Sequence, residues 1–242
     1  MTLHEYCARI ESAKNLEDLW SCSMEFFESY GLYRVSYHHF PPALSPGGNE
    51  NMRLYAAGHP DGWVEEYIKG KLYLVDPIPG LAQTATKPFF WRDALELRKL
   101  AEPEQEFIDW MESHGVKDGL AIQVFGPNGR NGLVAMGFEG TRPELSLASI
   151  RELQCACQVG HMVYIRLIGA EERNAISLTA REKEVLTWVA RGKSNSVIGD
   201  IMGISAHTVD AYLRRIYLKL GVSDRISAAI KGLGSGLISS AA

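Results

Sequence analysis

Apolar residues recur every three or four positions at the start of this chain and every second position further in, and this change of period separates helices from strands. Over 3–30, Leu3, Tyr6, Ile10, Leu16, Leu19, Trp20, Met24, Phe26 and Phe27 keep largely helical spacing between charged residues, predicting one or two amphipathic helices closed by Gly31. LYRVSYHHF (32–40) and RLYAAG (53–58) are rich in β-branched and aromatic residues and predict strands, with PPALSPGGN between them as a loop. Pro60 opens a helix, DGWVEEYIKGK, that sets Trp63 and Tyr67 on one face and Glu65, Glu66 and Lys69 on the other. EPEQEFIDWMESHG (102–115) predicts another helix, and GLAIQVF and LVAMGF around GPNGRNG predict a hairpin. Helices flanking a largely antiparallel sheet make an α/β/α sandwich. The helix predicted over 146–168 is more apolar than covering one sheet requires, which leaves a face for a second subunit.

Beyond 178 the pattern is helical throughout. Thr179 and Glu182 form a capping box ahead of Val185, Leu186 and Val189, and Gly192 ends that helix. NSVIGDIM (195–202) is a short second helix, Gly203 and Ile204 make a turn, and Ser205 caps a third helix from Ala206 to about Leu220. A fourth follows. Two helices joined by a tight Gly-containing turn are the unit whose second member enters the major groove of DNA. On the third helix Val209, Leu213, Ile216 and Leu220 point inward, while His207, Asp210, Ala211 and Arg214 share an outward face.

Charge supports the division. The net of −4 over 242 residues hides 16 Lys and Arg against 24 Asp and Glu in 1–176, a net of −8, and 9 against 5 in 177–242, a net of +4. The basic segment therefore faces phosphate and the acidic one does not. The expected domains are 1–168, a linker at 169–177 where the charge changes sign, and 178–242. Charges interrupt every apolar run and no signal peptide opens the chain, so a cytoplasmic protein away from membranes is expected. Cys7, Cys22, Cys155 and Cys157 have no metal-ligand spacing and read as reduced thiols, and no metal or cofactor is expected. No nucleophile with a positioned base and no phosphate-binding loop is present, so an enzyme is not expected.

The chemistry of the first domain lies in Asp76, an acid set among apolar residues in LYLVDPIPG and held extended by Pro77. Trp63 and Tyr67, four apart on a helix, can supply two donors beside that acceptor. Such a set suits a small ligand with an amide N–H, carbonyl oxygens and an alkyl tail, held by one acceptor, two donors and an apolar tunnel. Tyr55, Leu72, Val75, Phe90, Phe107, Trp110, Ile122 and Met136 are candidate tail contacts.

Two resemblances sharpen this reading. LTAREKEVLTWVARGKSN, IGDIMGISAHTVDAYLRRIYLKLGV and the closing GLI resemble the LuxR-type helix-turn-helix, with Glu182, Leu186, Gly192, Lys193, Ile198, Ser205, Thr208, Val209, Lys219, Leu220 and Arg225 matching. It implies that Lys193, Ser194 and Thr208 meet phosphates and that the exposed face of the third helix meets base edges. Asn195, Ser205, Arg215 and Lys219 complete the set expected at DNA. Asp210 stands where the family has a basic or polar residue, and Gly199 where Ala is commoner.

Upstream, Trp63, Tyr67, Asp76, Pro77 and Trp91, followed by Gly115 and Gly119, resemble the autoinducer-binding domain of quorum-sensing LuxR-type regulators. The resemblance implies that the Trp63 indole meets the lactone carbonyl, Tyr67 the acyl carbonyl and Asp76 the amide, with Trp91 against the lactone ring. It implies a homodimer that binds an acyl-homoserine lactone, a palindromic site on double-stranded DNA, and RNA polymerase. The alternative is an orphan regulator of the same type that answers another small molecule or none.

Overall fold

A computed structural model describes residues 1–40, 52–175 and 177–239. The loop expected at 41–49 lies outside the described residues. Two compact units emerge, the first comprising Met1–Phe40, Met52–Gly126 and Asn131–Leu167, the second taking Pro127–Arg130 and the chain from Ile168 onward.

The first unit is built on a five-stranded antiparallel sheet, ordered β2-β1-β5-β4-β3. Its strands are β1 (Arg34–His39), β2 (Arg53–Ala57), β3 (Phe89–Phe90), β4 (Val116–Val124) and β5 (Gly132–Glu139). Helices α1 (Leu3–Glu11), α2 (Leu16–Glu28) and α7 (Leu147–Ala175) belong to one face, where the Tyr6 hydroxyl donates to the Ala156 carbonyl and Tyr37 meets His161 Nδ1 at 2.8 Å. The other face carries α3 (Trp63–Lys69), α4 (Pro77–Thr84), α5 (Trp91–Leu95) and α6 (Glu102–Ser113). This is the α/β/α sandwich the residue pattern predicts.

One element was not foreseen and one runs longer than expected. LYLVDPIPG is a 3-10 turn at Leu72–Leu74 followed by α4, with Asp76 as N-cap: its φ of −66° and ψ of 115° are extended, as Pro77 demands, and its side chain accepts from the Ile78 N–H. Helix α7 runs on to Ala175, so most of the stretch expected as a linker, 169–177, is helical. The apolar spacing beyond 168 is weak, but nothing in 169–175 breaks a helix already under way.

In the second unit, α8 (Ala180–Ala190), α9 (Asn195–Met202) and α10 (Ala206–Leu220) follow the predicted boundaries, and α11 (Arg225–Gly234) is the fourth helix. Thr179 and Glu182 form their capping box, and Ser194, Ser205 and Asp224 each cap a helix by accepting from its first turn. Val185, Leu186, Ile198, Val209, Leu213 and Ile216 form the shared core. Gly199 sits in a close approach: a Cβ there would lie 2.6 Å from the Ile204 carbonyl oxygen, so the α9–α10 turn packs closer here than an alanine would allow without a shift.

Candidate functional site

Between α3, α4, α6 and the sheet lies a cavity lined by Ser36, His38, His59, Trp63, Tyr67, Asp76, Ile78, Trp91, Phe107, Met111, Val116, Leu133 and Ala135. Its free volume is about 20 Å³, the room of one or two water molecules. Polar groups converge on it. The Tyr67 hydroxyl donates to Asp76 Oδ2 at 2.9 Å, while Asp76 Oδ1 accepts from the Ile78 N–H at 2.9 Å. Burial pushes the Asp76 carboxyl up to about 7, against the pull of the Ile78 and Tyr67 bonds. Burial, and then the Asp76 charge beside it, raise the Tyr67 phenol well above its ordinary value.

Trp63 Nε1 and Trp91 Nε1 are both buried and have no hydrogen-bond partner. His59, Trp63 and Tyr67 stack in series, with ring centroids 4.0 and 5.2 Å apart. One wall of the cavity is therefore a ladder of aromatic faces.

Trp91 is fixed by residues far away in sequence. Asp118 accepts from the Arg92 N–H at 3.0 Å, and Arg142 bridges Asp118 at 2.6 Å and Asp93 at 2.8 Å while its guanidinium lies 4.1 Å above the Phe90 ring. The indole rests where a side chain at 119 would be: a Cβ on Gly119 would approach Trp91 Cζ2 to 2.5 Å.

Of the residues expected at the ligand, the structure brings Trp63, Tyr67, Asp76, Trp91 and Phe107 to the cavity. Val75 and Trp110 stand behind it in the same apolar cluster, with the Trp110 indole donating to Glu66 at 2.8 Å. Tyr55 and Met136 belong to the opposite face. Tyr55 stacks on Trp20 of α2 at 3.9 Å, and Met136 pairs in register with Val35, one step out of phase with the cavity-lining Ala135. Alternate strand residues leave opposite faces, so composition alone could not sort them. Ser36 and His38 were missed as pocket residues; their place on the apolar alternation of β1 was the available signal.

On the second unit, the face of α10 expected at DNA is open: His207, Arg214 and Arg215 are exposed, with Thr208, Asp210 and Ala211 half-buried. Ser205, Ser194 and Lys193 are exposed at the neighbouring helix starts. Several of these groups already have partners. Arg214 pairs with Asp210 at 2.8 Å, and the Ser205 hydroxyl meets that of Thr208 at 2.9 Å. Arg225 donates to Asn195 Oδ1 at 2.9 Å and also to the Lys193 carbonyl. Lys219 lies 2.7 Å from Glu182, an acid only 2 % exposed. Burial pushes Glu182 up, yet Lys219 and the Thr179 N–H and hydroxyl outweigh it and hold the carboxyl below its ordinary value.

Comparison with known proteins places both units. Residues 15–164 match the "Autoinducer binding domain" family and 176–231 match "Bacterial regulatory proteins, luxR family". The transcriptional activator protein AhyR of Aeromonas hydrophila is 30% identical over 184 residues, covering 74% of this chain and 71% of AhyR. The quorum sensing-dependent transcriptional regulator RpaR of Rhodopseudomonas palustris is 30% identical over 183 residues, covering 76% and 74%. A regulator of Sinorhizobium fredii, y4qH, is 31% identical, with 55% of its length covered. The crystal structure of Escherichia coli SdiA superposes with a TM-score of 0.79 over 97% of each chain at 20% identity, a likeness of fold. These relatives are transcriptional regulators and not enzymes. The chain thus belongs to the LuxR family of transcriptional regulators, its autoinducer-binding domain followed by a LuxR-type helix-turn-helix domain.

Proposed function

We propose that this regulator binds an N-acyl-homoserine lactone, long-chain or substituted, and as a dimer binds a palindromic promoter site in quorum sensing. The observation that carries the reading is the set of groups on one cavity: a carboxylate, a phenol and two indole N–H groups without partners. Asp76 would accept from the ligand amide. The Tyr67 hydroxyl and Trp63 Nε1 would donate to its acyl and lactone carbonyls, with Trp91 against the lactone ring. Val75, Trp110 and Phe107 belong to the apolar cluster into which a tail would extend. SdiA, solved in complex with octanoyl-rac-glycerol, likewise holds an acyl chain on a small polar head, at 19% identity.

The cavity's 20 Å³ is far below the several hundred Å³ of a ligand pocket. A ligand of that size would need the cavity to widen, and its binding would complete the core. Helix α7 would pair two protomers, and two α10 helices would then enter successive major grooves about one DNA turn apart. Lys193, Ser194 and Thr208 would position the reader on phosphates, while His207, Asp210, Ala211 and Arg214 face base edges. RNA polymerase is the expected partner at the promoter, and the cytoplasm the expected compartment; no helix among the described residues is long and apolar enough to cross a membrane.

Expression with and without a series of acyl-homoserine lactones tests the proposal. Ligand should raise soluble yield, thermal midpoint and operator affinity, and Trp63→Phe should lower all three responses. No response to any lactone, with a different molecule or none found by mass spectrometry of the purified protein, would establish the orphan reading instead.

A further inference from the structure

Two polar side chains of β1 face the same cavity and play no part in the anchoring above. Ser36 and His38 are two apart on one strand, so both leave the sheet on the cavity side, and they are only 5 and 3 % exposed. Ser36 Oγ and His38 Nε2 lie 3.2 Å apart and share a hydrogen bond. His38 Nδ1 is buried without a partner. A buried ring nitrogen left so costs free energy that only a hydrogen-bonding group entering the cavity recovers.

Burial pushes His38 down to about 4, so its ring is neutral and carries one N–H and one lone pair. The Ser36 hydroxyl can donate to Nε2 or accept from it, and its rotation selects what Nδ1 offers. Position limits what can reach that nitrogen. The His38 ring meets the Tyr67 ring edge-on, centroids 6.2 Å apart, and Tyr67 is the proposed anchor of the acyl carbonyl. A ligand atom that hydrogen-bonds His38 therefore belongs to the stretch of acyl chain next to that carbonyl.

We propose that His38, oriented by Ser36, is a specificity-determining residue that hydrogen-bonds an oxo or hydroxyl oxygen on the third carbon of the acyl chain. This rests on the acyl-homoserine-lactone reading and narrows it to 3-substituted chains. Such an oxygen is what a purely alkyl tail lacks, and a tail without it would bury Nδ1 against methylenes.

The test uses the full chain with unsubstituted, 3-oxo and 3-hydroxy dodecanoyl-homoserine lactone, read by affinity and thermal midpoint. A 3-substituted ligand should bind about tenfold tighter than the unsubstituted one. His38→Phe should bring that ratio close to one, and Ser36→Ala should reduce it by a smaller factor. His38→Gln, which restores a polar group, should recover part of it. Equal affinity for all three in the natural chain, as when a trapped water satisfies Nδ1, overturns the proposal, as does a ratio that His38→Phe leaves unchanged. If His38→Phe does not accumulate, the Ser36→Ala ratio decides. Binding of none of the three removes the lactone reading itself, an outcome distinct from binding without preference.

Discussion

The two halves of the chain treat their buried polar groups in opposite ways. In the reader, Thr179, Ser194, Ser205 and Asp224 cap the helices, Glu182 is answered by Lys219, and no described buried side-chain atom lacks a partner. In the sensor, Trp63 Nε1, Trp91 Nε1 and His38 Nδ1 are buried without one, and burial raises the Asp76 carboxyl. The lesson is about where stability resides. A domain that satisfies itself folds by itself, whereas one that buries orphan donors awaits a molecule that carries acceptors.

The largest effect should divide the halves by heating. The chain is expected to unfold in two calorimetric transitions, of which acyl-homoserine lactone moves only the sensor's, by about 4 kcal/mol at a thousandfold excess over its Kd. A single transition shifted as a unit would break the comparison. Within the reader, Lys219→Met should cost about 1.5 kcal/mol, since it removes the cation from a buried carboxylate that keeps its Thr179 bond. Denaturant unfolding of the reader alone measures that cost, and a cost near zero would return Lys219 to the DNA contacts.

A smaller effect is a pH dependence confined to the sensor. Asp76 titrates near 7 when folded against 3.8 in the open chain. The folded state thus holds a proton that the unfolded state surrenders. That contribution is fully present below pH 3.8, declines as pH rises, and is gone above about 7. A ligand N–H favours the ionised carboxylate, so ligand affinity should rise about tenfold between pH 6 and 8, with proton release on binding. His38 and His59, both pushed down to about 4 by burial, stay neutral throughout that window. Titration calorimetry in buffers of different ionisation enthalpy checks it; no proton release would mean that Asp76 is ionised before ligand arrives. The smallest effect belongs to the reader's surface. Asp210→Asn breaks an exposed pair with Arg214 and should change stability by less than about 0.5 kcal/mol. It should nevertheless alter the preferred operator in a binding-site selection if Asp210 faces the bases as proposed.

What the sequence revealed followed the range of the interactions concerned. Caps and capping boxes act over two or three residues, so Thr179, Ser194 and Ser205 announce the reader's helix starts directly. Trp63, Tyr67 and Asp76 were legible because two share a helix face and the third precedes a proline. Register is not local. Tyr55 and Met136 have suitable side chains on strands whose phase is set by pairing with β1, and they face α2 and Val35 instead of the cavity. The clamp on Trp91 joins Asp93, Asp118 and Arg142, and the Lys219–Glu182 pair spans 37 residues, so neither leaves a periodic trace. Helix α4 hides behind two prolines, which forbid a helix interior but are welcome in its first turn.

The bond between Tyr67 and Asp76 bears on how the sensor tells ligands apart. If Tyr67 and Asp76 hold the ligand as proposed, their donor and acceptor are bonded to each other beforehand, so binding would exchange bonds of similar strength and little discrimination would arise there. The two indoles have nothing to exchange. On that reading a compound with the right amide but a missing ring or lactone oxygen would be refused mainly at Trp63, whose unpartnered indole N–H gains a bond that no existing bond offsets.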